Sequence, residues 1–412
     1  MTRWITEYLG TSAWDQVSQS EGIYLLDVRE LVDKGGNEPK VVKSKIDEAL
    51  AHLQNSEKVI VCCDYGMSRS NAIAAGILTL QENISIEEAI LRVIAATGES
   101  AIKIEVLSAV RKSLVSEAQE ISSYETNEHQ LLITGASGFI GSSLLPKLKQ
   151  RYEVIAPTSK EINLLKETIA LDLLVKEQKI NTILHLANPR IYSTNESIGT
   201  ALVMLKNVLD VCKENGVFLV YLSSWEIYSG YKTSELKADE SLAPCPGGTY
   251  GQTKFLCESL IEHYRNFYGL SCTILRSSPV YGLGSDRPKF IWNFLNKALC
   301  NEEIIPHKYL NGYPMLDLLH VDDLCSAICT AISLQVKTVI NLGTGIGTST
   351  TQVAEQIIEY ISSKSKIRHN TIAGYTSNIF MDTNKAFSIL GWQPEITLSQ
   401  GLENLVKTQI ST

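Results

Sequence analysis

The chain has 412 residues, a formal net charge of −8 and a sequence pI near 5.5, which predicts two or three domains and argues against a general nucleic-acid binder. Nine cysteines without a CxxC pair indicate neither a disulfide framework nor a metal site. No apolar run approaches ~18 residues, so no membrane association is expected and the protein is predicted to be cytoplasmic.

The first part of the chain alternates between strand-like and helix-like stretches. The last helix-like stretch opens on Ser85 with Glu88 three residues later, which is a capping-box pattern. By periodicity, strands are predicted over 23–28 and 58–63, and helices over 42–53, 71–80 and 85–96.

The stretch "CDYGMSRS", residues 63–70, lies between one of these strands and the next helix. A helix N-terminus and a nearby arginine lower the pKa of a thiol, which makes Cys63 a candidate nucleophile. Residues 64–68 would turn successive amides inward to bind an oxyanion. Arg69 can fork two phosphate oxygens, and Ser70 can steady the thiolate.

This Cys-X5-Arg-Ser pattern resembles the signature loop of dual-specificity protein tyrosine phosphatases, most clearly across 58–80. The resemblance implies a cysteine-dependent phosphatase, and its fusion to the rest of the chain suggests a small phosphorylated metabolite as the substrate. Its general acid would be Asp33, about thirty residues before the cysteine, with Asp27 as the rival. The family's histidine before the nucleophile is Cys62 here, so an inactive phosphate-binding regulatory domain and a purely structural Cys63 stay open as alternatives.

Residues 115–130 are polar and lack periodicity, which is typical of a linker. The predicted domains are therefore 1–115, a linker over 116–129, and 130–412. Strands separated by helical stretches then predict a doubly wound parallel α/β sheet. The predicted strands are 130–134, 152–156, 182–187, 217–223, 271–276 and 338–342.

The stretch "LLITGASGFIGSSLL" carries a glycine pattern directly after a strand and at the start of a helix. Glycines there allow close approach of a pyrophosphate, whose charge the helix N-terminus stabilises. The predicted cofactor-binding residues of this turn are Gly135, Ser137, Gly138, Phe139, Ile140 and Gly141, together with Leu186 and Ala187 after a later strand.

Tyr250 and Lys254, in "TYGQTKFLCESL", lie four residues apart on one helix face. The lysine is expected to favour the phenolate, and both residues also to contact the cofactor. Tyr250 could then exchange a proton with the substrate while a nicotinamide exchanges a hydride. Ser224, at the end of a strand in "YLSSWEIYSG", can hydrogen-bond the same substrate oxygen.

With these residues, 130–412 resembles the extended short-chain dehydrogenases/reductases, NAD(P)-dependent enzymes acting on sugar nucleotides. The resemblance extends over "ILHLA", "LRSSPVYGLG", "LLHVDDL", "NLGTG" and "LGWQP". It implies a Rossmann core, a small substrate lobe mainly after residue 281, and a nucleotide-sugar substrate. It also implies a homodimer formed through the Tyr250 helix and the helix near 200–214.

The second strand of this part ends in "VIAPTSKEINLL". Where NAD enzymes carry an acidic residue for the ribose, this chain has Thr158, Ser159 and Lys160, which suit the 2′-phosphate of NADP. NADP is therefore the predicted cofactor and NAD the alternative.

Two departures bear on the reaction. Relatives that are dehydratases carry Asp-Glu where this chain has Trp225-Glu226, so an epimerase or reductase is favoured, with Glu226 as a candidate base. Relatives often place a pyrophosphate-binding arginine where this chain has Leu316, so a non-sugar carbonyl substrate is an alternative. The substitute basic residues suggested by the sequence are Arg276, Arg287 and Lys289.

The fusion itself suggests a bifunctional enzyme of carbohydrate biosynthesis.

Overall fold

The computed structural model describes residues 2–18, 20–34, 36–99, 102–114, 130–233, 235–285 and 288–411. The linker predicted over 116–129 lies outside these ranges. The chain divides into two compact units, one of Met1–Asn127 with Lys166–Glu177 and one of Glu128–Leu165 with Gln178–Thr412. Across the described ranges, no helix is both long and apolar enough to cross a membrane.

The first unit is a four-stranded sheet covered by helices. The sheet order is β1-β2-β4-β3, parallel except for the β1–β2 pair. Its elements are β1 (Arg3–Trp4), β2 (Leu9–Ala13), β3 (Ile23–Asp27), α1 (Pro39–Gln54), β4 (Lys58–Cys63), α2 (Arg69–Glu82), α3 (Ile86–Thr97) and α4 (Ile104–Leu114). The predicted strands and helices are confirmed, while β1, β2 and α4 were not predicted.

Helix α2 forms the centre of this unit. Its residues 69–78 are all buried, because small and aliphatic side chains on every face let it pack against the sheet and against α1, α3 and α4. Ser85 caps α3 by accepting a hydrogen bond from the Glu88 amide at 3.1 Å.

The chain from residue 130 alternates strands and helices. Its elements are β5 (Gln130–Thr134), α5 (Phe139–Leu148), β6 (Glu153–Ile155), α6 (Thr168–Glu177), β7 (Thr182–His185), α7 (Asn195–Asn215), β8 (Phe218–Ser224), β9 (Leu236–Ala238), α8 (Thr249–Tyr268), β10 (Cys272–Ser277), β11 (Val280–Tyr281), α9 (Lys289–Leu299), β12 (His307–Lys308), β13 (Met315–Leu316), β14 (Leu319–His320), α10 (Val321–Leu334), β15 (Val339–Leu342), β16 (Thr348–Ser349), α11 (Thr350–Ile361), β17 (Asn370–Thr371), β18 (Ile379–Met381), α12 (Asn384–Leu390) and α13 (Leu398–Ser411).

The second unit contains a six-stranded parallel sheet in the order β15-β10-β8-β7-β5-β6. The chain leaves β5 for β6 on one side and returns to β7 on the other. The strand order therefore reverses between β5 and β7, which is where open α/β sheets bind ligands, beyond the carboxyl ends of their strands. This is the predicted doubly wound Rossmann sheet.

Two features lie outside that sheet. A separate apolar cluster of the second unit is built from α9, α11 and α13 with Tyr281 and Leu318, and it forms the core of a smaller lobe. Helix α6 groups with the first unit, where Ile169 and Leu173 join the hydrophobic core. The sequence did not predict this grouping of α6.

Candidate functional site

The glycine turn, residues 135–141, joins β5 to α5 at the reversal point. Gly135 has a φ of +77°, and a Cβ there would lie 2.6 Å from the Ala187 amide nitrogen, so only glycine fits. The Gly138 amide donates to the Gly135 carbonyl at 3.1 Å. Gly138 is exposed, which leaves the α5 N-terminus open to a bound phosphate.

The other predicted residues of this turn are arranged around that opening. Ser137 is exposed, Gly141 is buried, and Phe139 and Ile140 pack against the core beneath the sheet. Leu186 and Ala187 follow β7 directly, and the Leu186 amide donates to the Thr134 carbonyl at 3.0 Å. These residues fit a dinucleotide pyrophosphate.

Lys254 lies on α8 with only 5% of its surface exposed. Its Nζ donates to the Leu222 carbonyl at 2.8 Å and to the Tyr221 hydroxyl at 3.3 Å. Burial lowers the pKa of Lys254 to about 8. The Leu222 carbonyl and the Tyr221 hydroxyl therefore fix the position of the Lys254 ammonium. Its Nζ lies 5.7 Å from the centroid of the Tyr250 ring.

The pKa of Tyr250 corrects one sequence-based expectation. Burial raises this pKa, and the charge of Glu226 raises it further. Lys254 was expected to favour the phenolate, but it does not offset this desolvation. The tyrosine is therefore held as a neutral phenol, ready to donate a proton.

Ser224 and Glu226 lie where β8 ends. Ser224 is buried, and its Oγ accepts a hydrogen bond from the Glu226 amide at 3.2 Å, which opens a short 3-10 helix over Trp225–Tyr228. Burial also raises the pKa of the Glu226 carboxyl. A carboxyl with a raised pKa close to Tyr250 is a candidate to hold or release a proton during the reaction.

Asn188 and Tyr192 contact Tyr250 and were missed by the sequence reasoning. The Asn188 side chain lies close enough to the Tyr250 hydroxyl to lower its pKa, and the Tyr192 ring packs edge-on against the Tyr250 ring with centroids 5.1 Å apart. Their position just after "ILHLA", at the carboxyl end of β7, was the available signal.

The predicted ribose-binding residues Thr158, Ser159 and Lys160 follow β6 and are exposed. An acidic neighbour accompanies them, because the Thr158 amide donates to a Glu161 carboxylate oxygen at 2.7 Å. That hydrogen bond lowers the pKa of Glu161. The predicted ribose-binding segment after β6 therefore offers two hydroxyls, one lysine and the Glu161 carboxylate, which already accepts a backbone hydrogen bond.

In the first unit, Cys63 ends β4 and is 2% exposed. Its Sγ accepts a hydrogen bond from the Gly66 amide at 3.2 Å and lies 3.4 Å from the Ser70 hydroxyl. Burial opposes ionisation, but hydrogen bonds from Ser70 and from loop amides outweigh it, so the pKa of Cys63 is lowered. Burial raises the pKa of neighbouring Cys62 to about 12, so only one of the two cysteines is activated.

Residues 63–70, termed the cysteine loop, are held in a compact turn. Gly66 has a φ of +65°, and a Cβ there would lie 2.4 Å from the Ala13 amide nitrogen. Asp33 accepts a hydrogen bond from the Ser68 hydroxyl, which brings the predicted acid to the loop. The rival Asp27 instead pairs with Arg29 at 2.7 Å.

Among the described residues, no group of three or more His, Cys, Asp or Glu side chains is arranged to hold a metal ion.

The sequence model of the NAD dependent epimerase/dehydratase family matches residues 131–343, just over half of the chain. The chain belongs to this family. It is 30% identical over 306 residues to a protein of Methanocaldococcus jannaschii named "Putative UDP-glucose 4-epimerase", covering 67% of this chain and 97% of that one. It is thus an enzyme of the NAD-dependent epimerase/dehydratase type.

Solved structures show the same fold. One is UDP-glucose 4-epimerase from Thermotoga maritima, solved with UDP-glucose. It superposes on this chain with a TM-score of 0.61 and 23% sequence identity, and the match covers 68% of this chain and 99% of the epimerase. RMD from Pseudomonas aeruginosa, solved with NADPH, has a TM-score of 0.61 at 22% identity and covers 69% and 99%.

This epimerase/dehydratase-family chain departs from one expectation about its basic residues. Arg276 is 6% exposed and donates to both carboxylate oxygens of Glu258 at 2.6–3.1 Å, so it is not a substrate contact. Leu316 lies in β13, where it pairs with Thr348 of β16, and it packs against the core of the smaller lobe. Lys289 is exposed at the start of α9, while Arg287 lies outside the described residues.

Proposed function

We propose that the second unit epimerises or reduces a nucleotide-linked sugar through Ser224, Tyr250 and Lys254. The observation that carries this proposal is the setting of Tyr250, a partly buried phenol beside Asn188 and Tyr192 and close to the Lys254 ammonium. A proton donor so placed at the carboxyl ends of the sheet suits chemistry at a sugar hydroxyl or carbonyl.

The residues have separate roles in this proposal. Ser224 and Tyr250 bind the reacting oxygen, and Tyr250 gives or takes its proton. Lys254, held by the Leu222 carbonyl, stabilises the phenolate once the proton has left. NAD(P) accepts or supplies the hydride when it is bound. Glu226 moves the proton at a neighbouring carbon in an epimerase, and a full dehydratase is disfavoured because Trp225 replaces the second acid.

NADP is the proposed cofactor, with NAD as the alternative. Thr158, Ser159 and Lys160 offer hydroxyls and a cation for a 2′-phosphate, and RMD, a structure of the same fold, was solved with NADPH. The family description names NAD.

The test is turnover of UDP-, GDP- and dTDP-linked sugars, each with NADP and with NAD, against simple aldehydes and ketones. We expect a nucleotide sugar to be converted, with the higher kcat/KM for NADP. Conversion of simple carbonyls alone would favour the alternative of a non-sugar reductase, which the position of Leu316 suggests.

A homodimer is part of this proposal. Exposed apolar side chains lie on the two predicted helices, with Val203 on α7 at 44% exposure and Phe267 on α8 at 73%. Burying such side chains against a second copy would be favourable.

A second candidate function, phosphate-ester hydrolysis by the first unit, is favoured by the lowered pKa of Cys63 and by the contact of Asp33 with Ser68 of the cysteine loop. The thiolate would attack phosphorus as the ester P–O bond breaks, and Asp33 would protonate the leaving oxygen. Water would then break the S–P bond and release phosphate. A cytoplasmic location belongs to this proposal because a reducing compartment keeps the thiol free.

Phosphate release from p-nitrophenyl phosphate and a panel of sugar phosphates tests this function. We expect release by the wild type, loss of about 10³-fold or more in Cys63→Ser because oxygen is a poor nucleophile here, and a fall of 10²–10⁴-fold in Asp33→Ala. Cys300→Ser, at an exposed cysteine outside this unit, is the matched control. Release that persists in Cys63→Ser would show that Cys63 is not the nucleophile, and no release by the wild type would favour an inactive phosphate-binding regulatory domain.

A further inference from the structure

Arg69 is held in one orientation by the backbone. Its Nη1 donates to the carbonyls of Arg29 at 3.1 Å and Leu31 at 2.8 Å. A guanidinium carries five donors, and these two bonds leave the Nε and Nη2 edge for an oxyanion. The side chain of Arg69 is only 10% exposed, so it is fixed in place.

An acid of the same loop occupies part of that edge. The carboxylate of Asp64, the residue after the nucleophile, forms an ion pair with Nη2 of Arg69. The Asp64 side chain is 52% exposed, so it can turn toward water whereas the arginine cannot. Asp64 also interacts electrostatically with Arg29.

The charges of the loop make this contact consequential. Asp64 places one negative charge against the positive charge of Arg69, and ionisation of Cys63, whose pKa is lowered, adds a second negative charge to the loop. Among the described residues, Arg3 also reaches the loop, where its Nη1 donates to the Gly66 carbonyl at 3.3 Å. Arg29 is already paired with Asp27. An incoming oxyanion must therefore displace Asp64 and then tolerate its charge nearby.

We propose that Asp64 competes with the bound oxyanion for Arg69 and makes the cysteine loop discriminate against dianions. The inference rests on the proposed phosphate site and assigns that site a residue that determines its specificity. The loop then holds a singly charged tetrahedral oxyanion with a smaller penalty than a doubly charged one of the same shape, because Coulomb energy scales with ligand charge.

The test measures binding rather than turnover. Tungstate, a dianion, and perrhenate, a monoanion of the same shape, are titrated against alkylation of Cys63 by iodoacetamide, which is read by mass spectrometry of the Cys63 peptide. Each variant is normalised to its own rate without oxyanion. In full-length Asp64→Asn we expect about tenfold tighter tungstate binding and about threefold tighter perrhenate binding, because the repulsion removed with the Asp64 charge scales with the charge of the ligand.

The matched control is Asp47→Asn, which removes an equal charge from the exposed pair with Lys43 on α1 and should change neither affinity. Arg69→Met should abolish protection in the wild-type and Asp64→Asn backgrounds. If oxyanions protect Cys63 in Asp64→Asn and Asp64→Ala no better than in the wild type, Asp64 does not compete for Arg69. The phosphate site itself would still stand. No protection in any folded variant would overturn the phosphate site itself.

Discussion

Tyr250→Phe should lower kcat for nucleotide-sugar conversion by 10²–10⁴-fold, the usual contribution of a positioned proton donor. The substitution keeps the ring that packs against Tyr192 and removes only the hydroxyl that Asn188 contacts. Cofactor affinity should change little, because the glycine turn and the α5 N-terminus are untouched. Conversion followed by NMR gives kcat, and titration calorimetry gives the cofactor Kd.

The control for this variant is Tyr231→Phe. The Tyr231 hydroxyl donates to the Ala243 carbonyl at 3.0 Å at the surface, so the same chemical change there should leave kcat within about twofold. If Tyr250→Phe also retained kcat within a few fold, the proton donor would be another group, and Glu226 would be the first to examine.

Glu258→Ala should destabilise the second unit by about 3–5 kcal/mol, because removing one member of a buried ion pair leaves an uncompensated charge. Glu258 is 7% exposed and accepts three hydrogen bonds from Arg276. It also accepts one from the Ser223 hydroxyl. Urea denaturation monitored by circular dichroism should show this loss of stability as a lower midpoint urea concentration.

A matched control lies on the same helix. Glu262 forms an exposed pair with Arg265 at 3.1 Å, so Glu262→Ala should cost no more than about 1 kcal/mol. The pair Glu258→Leu with Arg276→Met should recover much of the stability, since apolar replacement of a buried pair removes both charges together. Equal midpoints for Glu258→Ala and Glu262→Ala would contradict the burial argument.

Local sequence patterns were reliable wherever neighbouring residues decide the structure. The six strands of the parallel sheet follow from β-branched runs, and the glycine turn follows from a strand, three glycines and a helix. The strand pattern over 58–63 likewise placed Cys63 at the end of β4, whereas α2 begins at Arg69, two residues before its predicted start. Each of these features is set within a few residues of sequence.

Burial and long-range contacts were not predictable in this way. Arg276 was a candidate ligand by sequence, yet its strand register brings it to Glu258 of α8. Asn188 and Tyr192 come to Tyr250 from a loop more than fifty residues earlier. The Asp64–Arg69 ion pair depends on how the loop turns within five residues.

The sequence by itself therefore determined the family and the Rossmann sheet, and it predicted the reactive residue types at both candidate sites. Only the tertiary structure decided how those residues ionise, because a pKa depends on desolvation and on charges brought near by the fold. Burial keeps Tyr250 a neutral phenol and lowers the pKa of Lys254 to about 8, whereas loop hydrogen bonds lower the pKa of Cys63. The sequence alone does not give the burial or the hydrogen bonding of these groups.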